Sequence, residues 1–275
     1  MFLAINITIY AFIFIYGIII GSFLNVCIFR IPRHEEIVVE SSHCMSCGHK
    51  LAWYDLFPVF SFIFLGGKCR YCKTKLSIQY PIVEALNGFL YMVVDWMLHL
   101  RIENLLFAGT FLKIDFFVTM ICFQALTSVL IVITVIDERT FEIPFGCNVF
   151  IFVLGVIKTI SSFICGGDWL GHLIGFFAIS VFLTILYYLS KGRAIGGGDV
   201  KLMAAAGLLI GWKDIVLAFF VGCIIGSVIH IIRMKFSKKE RVLAMGPYLS
   251  AGIFICMLWG DFFIDWYLRT AGFYN

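Results

Sequence analysis

Charged residues are scarce in this chain of 275 residues. Asp, Glu, Lys and Arg together make up 14% of it, whereas 61% of the residues are hydrophobic and the mean hydropathy is +0.99. Soluble globular domains usually contain about 25% charged residues. The low charge therefore excludes an ordinary soluble domain and indicates an integral membrane protein.

The first 29 residues contain no Lys, Arg, Asp or Glu. The first basic residues, Arg30 and Arg33, come after the apolar run. A secretory signal peptide carries its positive charge before the apolar run and is then removed. We therefore expect this segment to be retained as a membrane span.

Several apolar runs approach or exceed the roughly 20 residues that a helix needs to cross about 30 Å of hydrocarbon. A helix also satisfies its own backbone in lipid. The sequence thus predicts an all-α polytopic membrane protein with about eight transmembrane helices. The predicted spans are approximately residues 8–29, 81–99, 116–136, 143–162, 169–190, 200–212, 214–232 and 245–266. The sixth is short, and residues 101–115 either prolong the third span or lie at the interface.

The distribution of Lys and Arg predicts the orientation of these spans. If the amino terminus lies outside, 16 of the 21 Lys and Arg residues fall in the loops on the cytoplasmic side. Cytoplasmic loops of membrane proteins carry such an excess of basic residues. Both termini are then expected outside, and Asp137 and Asp199 lie at cytoplasmic ends of helices.

The polar loop at about residues 30–80 contains two Cys-x-x-Cys pairs, Cys44 with Cys47 and Cys69 with Cys72. This spacing predicts a tetrahedral structural zinc site with one ion per chain. An iron site of the same geometry and metal-free thiols are the alternatives, and His43 or His49 is an alternative ligand. Disulfides are not expected because the loop is assigned to the reducing cytoplasm.

Asp137 and Asp199 lie at the edges of very apolar runs, where a charged side chain is energetically costly. Their presence there therefore suggests a specific role. Pro144 follows Asp137 and is suited to a first helical turn. Asp199 is preceded by three glycines, Gly196, Gly197 and Gly198. These glycines allow unusual backbone conformations or the close approach of another chain, or they only shape the turn into the next helix. A carboxylate pair in a partly dry cleft can share one proton and act as general base and general acid. The alternative to a catalytic role is that each carboxylate only reaches water at the end of its helix.

The order of motifs resembles that of the prepilin leader peptidases, a family of membrane aspartic proteases. The resemblance covers nearly the whole chain and comprises Gly21-Ser22-Phe23-Leu24-Asn25-Val26 with Arg30-Ile31-Pro32, the cysteine loop with Trp53-Tyr54-Asp55, Tyr80-Pro81 with Glu84, the segment from Asp137 to Pro144, Gly196 to Leu202, and Gly246-Pro247-Tyr248-Leu249. Met45, Arg139 and Phe145 depart from residues common in that family, but they leave the aspartates intact.

The resemblance implies that Asp137 and Asp199 are the catalytic pair and that the substrates are prepilins or pseudopilins, cut at the cytoplasmic face of a bacterial inner membrane. It further implies methylation of the new terminal amine with S-adenosylmethionine. The chain would then divide into residues 1–100, with the cysteine loop, and residues 101–275, a six-span aspartic peptidase core. The bilayer is the expected partner besides the substrate, and no nucleic acid is expected.

The position of a methyl-donor site is not evident from the sequence. No glycine-rich loop after a strand marks a nucleotide-binding domain, and the polar loop is too small for one. A donor pocket is expected near residues 30–84, where Glu84 either caps a helix or faces a substrate.

Two rival classes remain open from the residues alone. A transporter would use the aspartates for proton or cation coupling, and a membrane thiol oxidoreductase would use the Cys-x-x-Cys pairs.

Overall fold

A computed structural model describes residues 2–37, 42–102, 110–193, 195–236 and 243–272 of the chain. These residues are helical apart from loops and turns, and no strand occurs among them beyond two isolated bridges, His43 with Lys50 and Lys68 with Lys75. The all-α prediction is confirmed. The helices are α1 Phe2–Arg30, α2 Phe60–Phe64, α3 Gln79–Ile102, α4 Thr110–Thr140, α5 Phe145–Ile164, α6 Trp169–Ala178, α7 Ser180–Leu189, α8 Gly197–Ile210, α9 Trp212–Phe236 and α10 Gly246–Thr270.

Each predicted span corresponds to a helix or a helix pair. The fifth span is divided at Ile179 into α6 and α7, where the Ser180 hydroxyl donates to the Phe176 carbonyl, a bond that bends helices. In the described residues, seven segments are long and apolar enough to cross a membrane. The remaining predicted span is α8, whose 14 residues extend about 21 Å. The third span begins at Thr110, so residues 110–115 prolong it, and residues 103–109 lie outside the described residues.

The chain divides into two compact units, Met1–Trp96 and Met97–Asn275. The predicted division near residue 100 stays a prediction about function. In the first unit, α1 and α3 pack with their backbones in close approach. A Cβ atom at Gly21 would lie 2.7 Å from the Cα of Glu84, so only glycine permits this crossing.

In the second unit, α8 is the most buried helix. Nine of its 14 residues are buried, including Leu202, Met203 and Leu209 with no exposed surface. Gly207 of α8 meets Gly175 of α6 so closely that neither position has room for a side chain. A short helix that is covered by protein on most sides does not need the length of a lipid-facing span. This packing fixes the position of the α8 amino terminus.

Candidate active site and metal centre

Asp137 lies in the last turn of α4 and is 4% exposed. Its Oδ2 atom accepts a hydrogen bond of 2.8 Å from the backbone N–H of Gly246, the first residue of α10. The amino terminus of a helix carries partial positive charge from its unpaired N–H groups. The α10 terminus therefore stabilises a carboxylate at this position.

Asp199 is the third residue of α8 and is 8% exposed. Its Oδ2 atom accepts a hydrogen bond of 3.2 Å from the backbone N–H of Gly196, the residue that precedes the helix. This is the return half of a capping box, in which an acidic residue in the first turn satisfies a backbone donor at the helix start. Each carboxylate thus lies at the amino terminus of a helix.

The segments that carry the two predicted catalytic side chains are adjacent, since Gly198, next to Asp199, packs against Ile143 in the loop that follows Asp137. Within the described parts of the chain, neither carboxylate forms a salt bridge. Two buried carboxylates without a cation cannot both be charged at low cost. The arrangement therefore favours one proton shared by the pair.

The three glycines before Asp199 do not use unusual backbone conformations. Gly196 has φ −77° and ψ 143°, and neither Gly197 nor Gly198 has a positive φ. The expectation of special conformations is therefore wrong at this turn, because α8 begins directly at Gly197. What the glycines supply is space: a Cβ at Gly198 would lie 3.1 Å from the Cβ of Ile143 in the loop that follows Asp137.

Gly197 has more room than its neighbours. A Cβ atom built on it would meet only Tyr187, at 3.8 Å, which is an ordinary contact distance. The predicted role of the glycine triplet in substrate approach is untested. Of the three positions, Gly197 has the most free space for a substrate backbone.

The loop from Asp137 to Pro144 ends where α5 begins. Pro144 directly precedes Phe145, the first residue of α5, and has φ −60°, so the predicted helix start is confirmed. Lys201 of α8 lies over the Phe145 ring at 5.2 Å, a cation–π contact between the two helix starts. Outside the site, Arg233 of α9 donates to Glu138 at 2.6 Å, and both side chains are partly exposed.

The four loop cysteines converge. Their sulfur atoms all lie within 4.8 Å of one another, and the Cys44 and Cys72 sulfurs are 3.8 Å apart. Four thiolates around a tetrahedral zinc ion, each at about 2.3 Å, would be about 3.8 Å apart. The donor set therefore fits zinc. No other His, Cys, Asp or Glu group in the described residues converges in this way, and His49 instead packs on the Tyr71 ring.

The two Cys-x-x-Cys turns have the same backbone design. The N–H of Cys44 donates to the His49 carbonyl and that of Gly48 to the Cys44 carbonyl; the N–H of Cys69 donates to Thr74 and that of Lys73 to Cys69. The corresponding residues Gly48 and Lys73 both have a positive φ, of 69° and 59°. Glycine adopts this conformation readily, whereas a lysine gives no local signal for it.

The surroundings of two of the four cysteines, Cys44 and Cys72, favour thiolates, whereas burial and the neighbouring thiols of Cys44 and Cys72 raise the pKa of Cys47 to about 11. The Thr74 hydroxyl lies 3.3 Å from the Cys72 sulfur, and hydrogen bonding with the side chain and backbone of Thr74 lowers the pKa of Cys72 to about 6. Backbone hydrogen bonds at Ser46 and Cys47 lower the pKa of Cys44. Thiolates are the form that binds a metal ion.

Asp55 connects the segment between the cysteine pairs to the second pair. Burial by itself would raise the pKa of Asp55, but hydrogen bonds from Arg70 at 2.6 Å, from the Ala52 N–H and from the Tyr71 hydroxyl hold it below the usual value. Arg70 lies between Cys69 and Cys72, so this network helps to fix the second turn.

Gly246 belongs to the Gly246-Pro247-Tyr248-Leu249 motif, but the sequence alone indicates no role for it. A Cβ atom at this position would lie 2.6 Å from Oδ2 of Asp137. Gly-Pro at a helix start was the available signal, since Pro247 occupies the first turn of α10. The contact of this helix start with Asp137 spans 109 residues and has no local signature.

Comparisons with known proteins agree with the motif order. Residues 15–98 match the family model described as the bacterial peptidase A24 N-terminal domain, and residues 124–231 match the type IV leader peptidase family. No solved structure is a significant match to the chain.

Three similar curated proteins each have the name prepilin leader peptidase/N-methyltransferase. The protein from Bacillus subtilis is 30% identical over 264 residues, covering 94% of this chain and 98% of its own length. The protein from Xanthomonas campestris is 29% identical, with 93% of both chains covered. The protein from Pseudomonas aeruginosa is 28% identical, covering 94% of this chain and 92% of its own.

Proposed function

Because the chain belongs to the type IV leader peptidase family, we propose that it cleaves the leader peptide from prepilins or pseudopilins and methylates the amine that cleavage exposes. The names of relatives that align over nearly the whole chain include both activities. The chain is a multi-pass membrane protein, and a prepilin joins a short basic leader to an apolar helix that can lie in the same bilayer. Nothing in the comparisons supports the transporter alternative.

The peptidase proposal rests on one observation: two buried carboxylates, Asp137 and Asp199, each lie at a helix amino terminus without a cationic partner in the described chain. The ionised member removes a proton from a water molecule as that water attacks the scissile carbonyl carbon. The protonated member donates its proton to the carbonyl oxygen. The C–N bond then breaks, and the leaving nitrogen takes up a proton as the amine.

We predict that Asp137→Asn and Asp199→Asn each abolish cleavage of a prepilin by the purified full-length protein. The double variant should be no worse, because removing either carboxylate destroys the same acid–base pair. The matched control is Glu138→Gln, which removes the charge of the exposed carboxylate next to Asp137 and its surface ion pair but leaves both catalytic carboxylates in place. Substantial cleavage by either single variant, with the control normal, would contradict the assignment.

The proposed orientation places the site and the cysteine loop at the cytoplasmic face, with both termini outside. The excess of Lys and Arg in the loops on that side supports it. A maleimide that does not cross membranes should label an added cysteine at Asn275 in intact spheroplasts but leave one at Lys191 unlabelled. The reverse pattern would invert the orientation and exclude cleavage from the cytoplasm.

The metal is proposed to be one structural zinc ion per chain, held by Cys44, Cys47, Cys69 and Cys72. Four protein thiolates leave no open position, so the ion would stabilise the loop and take no part in hydrolysis. Metal analysis of the purified protein should find about one zinc per chain; one iron per chain would support the alternative metal.

The methyl donor is proposed to be S-adenosylmethionine. In the transfer, the new terminal amine gains the methyl group and loses a proton, while the sulfonium becomes a neutral thioether. The expected measurement is transfer of a labelled methyl group to the amino terminus of cleaved prepilin. Methylation that does not require this donor would contradict the proposal.

A further inference from the structure

The first unit contains a cavity of about 400 Å³ between α1, α3 and the cysteine loop. This volume is in the range of small-molecule sites. The aromatic residues Phe29, Phe62 and Tyr80 and several aliphatic side chains form part of its wall, and polar and charged side chains, among them Arg30, Arg70 and Lys75, form the rest. The peptidase proposal makes no use of this cavity, because Asp137 and Asp199 belong to the second unit.

Glu84 is the carboxylate of the cavity wall that forms no salt bridge with a described residue. It is 7% exposed and accepts hydrogen bonds from the Val59 N–H, at 2.7 Å, and from the Ser22 hydroxyl. Among the described residues, no Lys, Arg or His forms a salt bridge with it. The other wall carboxylates differ: Asp55 binds Arg70, and Glu35 lies 3.9 Å from Arg33. A buried carboxylate with only neutral donors attracts a cation. Of the basic wall residues, Arg70 is bound by Asp55, and Arg30 donates to the backbone carbonyls of Glu36 and Ile37.

Asn25 supplies an unused acceptor at the same cavity. Its side chain is 2% exposed, and its Nδ2 donates to the Tyr80 carbonyl at 3.1 Å. Its Oδ1 has no hydrogen-bond partner among the described residues. Buried polar atoms of native proteins are nearly always paired, and an exception calls for an explanation. A ligand with an N–H donor would satisfy this oxygen.

Val59 adds a third observation. It has φ 62° and ψ −52°, a conformation that is strained for a β-branched residue, and its N–H is directed at Glu84. Such strain persists only where surrounding contacts hold it, and it concentrates at functional sites. The hydrogen bond from the strained residue Val59 to Glu84 connects the loop to α3 at the carboxylate that lines the cavity.

We infer that this cavity binds S-adenosylmethionine, with Glu84 complementing its net positive charge and Asn25 Oδ1 accepting from one of its N–H groups. This inference rests on the proposed methyltransferase activity. The donor carries a sulfonium, an ammonium and one carboxylate, so its net charge is +1. The aromatic wall offers apolar surface to its adenine ring. No nucleotide-binding domain is needed, because the cavity is built from membrane helices and the cysteine loop.

Equilibrium binding to the full-length, zinc-loaded protein tests the site without relying on activity. Glu84→Gln should weaken binding of S-adenosylmethionine by about tenfold or more. It should weaken binding of S-adenosylhomocysteine less, because that product has no net charge. Glu36→Gln is the matched control, since Glu36 is an exposed carboxylate of the same unit that does not line the cavity.

Asn25→Leu should also weaken donor binding by about tenfold, and Asn87→Leu should not. Asn87 is a fully buried asparagine that bonds across the same two helices, through Gly17, but it lies outside the cavity wall. Zinc content of one per chain identifies the variants whose first unit is intact. If Glu84→Gln and Asn25→Leu both bind the donor within twofold of wild type, the cavity is not the site.

A second measurement does not depend on how the variants fold. Ultraviolet crosslinking of radiolabelled S-adenosylmethionine to the wild-type protein should label peptides from residues 22–84. Labelling confined to peptides from residues 97–275 would contradict the proposed site but not the proposed identity of the donor. Absence of any binding by wild type would overturn the proposed donor itself, and this inference with it.

Discussion

Gly246 determines the position of the Asp137 carboxylate through its backbone N–H and through its missing side chain. Its N–H donates to the carboxylate, and its missing side chain leaves the space that the carboxylate occupies. Asp199 has a local equivalent in Gly196, where a Cβ would lie 3.0 Å from Oδ2. At both positions glycine matters for close approach of backbone and carboxylate, and not for an unusual φ.

Gly246→Ala should reduce the rate of prepilin cleavage by at least about tenfold. The added Cβ would stand 2.6 Å from Oδ2 of Asp137, so the carboxylate must move, and small displacements of reacting groups are costly in rate. Gly146→Ala is the matched control: nothing lies within 4 Å of its added Cβ, and cleavage should stay within twofold of wild type. An active Gly246→Ala protein would show that this contact does not set the reactive geometry.

Gly197 allows a cleaner test of substrate approach than Gly198. A side chain at Gly198 must displace Ile143, whereas one at Gly197 meets only Tyr187 at an ordinary distance. Gly197→Ala should therefore keep the fold and thermal stability but raise KM for prepilin. If its KM and kcat equal those of wild type, the free space at Gly197 is not used by the substrate, and the triplet only shapes the turn.

At the scale of elements, the helices could be predicted because long apolar runs permit little else in lipid. The cysteine pairs were also predictable, since Cys-x-x-Cys is a local pattern. Two features were not. The length of α8 depends on burial by its neighbours, and the meeting of α10 with Asp137 depends on tertiary packing. Neither leaves a periodic or local signal in the sequence.

The two cysteine turns differ at the residue with a positive φ, which is Gly48 in the first turn and Lys73 in the second. Lys73 adopts the left-handed conformation that Gly48 adopts in the first turn, and this costs a non-glycine residue about 1 kcal/mol. Lys73→Gly should slow the release of zinc to a chelator, and Gly48→Ala should speed it.

Lys73 also carries positive charge near thiolates, so Lys73→Ala is the control that removes the charge but keeps the strain. If Lys73→Gly and Lys73→Ala release zinc equally fast, charge and not backbone conformation dominates at this position. Zinc release is measured on the full-length protein in detergent.

At the scale of the whole molecule, the two proposed activities reside in separate compact units. The carboxylate pair is contained in residues 97–275, and the cavity with Glu84 and the four cysteines is contained in residues 1–96. No residue is shared between the two sets. The two activities should therefore be separable by substitution, although both act on the same substrate in sequence.

Asp199→Asn should fail to cleave prepilin yet still methylate a peptide that already begins with the mature amino terminus. Glu84→Gln should show the opposite pattern, cleaving prepilin at close to the wild-type rate while methylation at a subsaturating donor concentration falls by about tenfold. Supplying the mature peptide separates the reactions, because methylation then no longer waits for cleavage to create its amine. Mass spectrometry of the prepilin and of the mature peptide measures cleavage and methylation in one reaction. If Asp199→Asn loses methylation of the mature peptide while retaining zinc and donor binding, the carboxylate pair contributes to both reactions and the assignment of one activity to each unit is wrong.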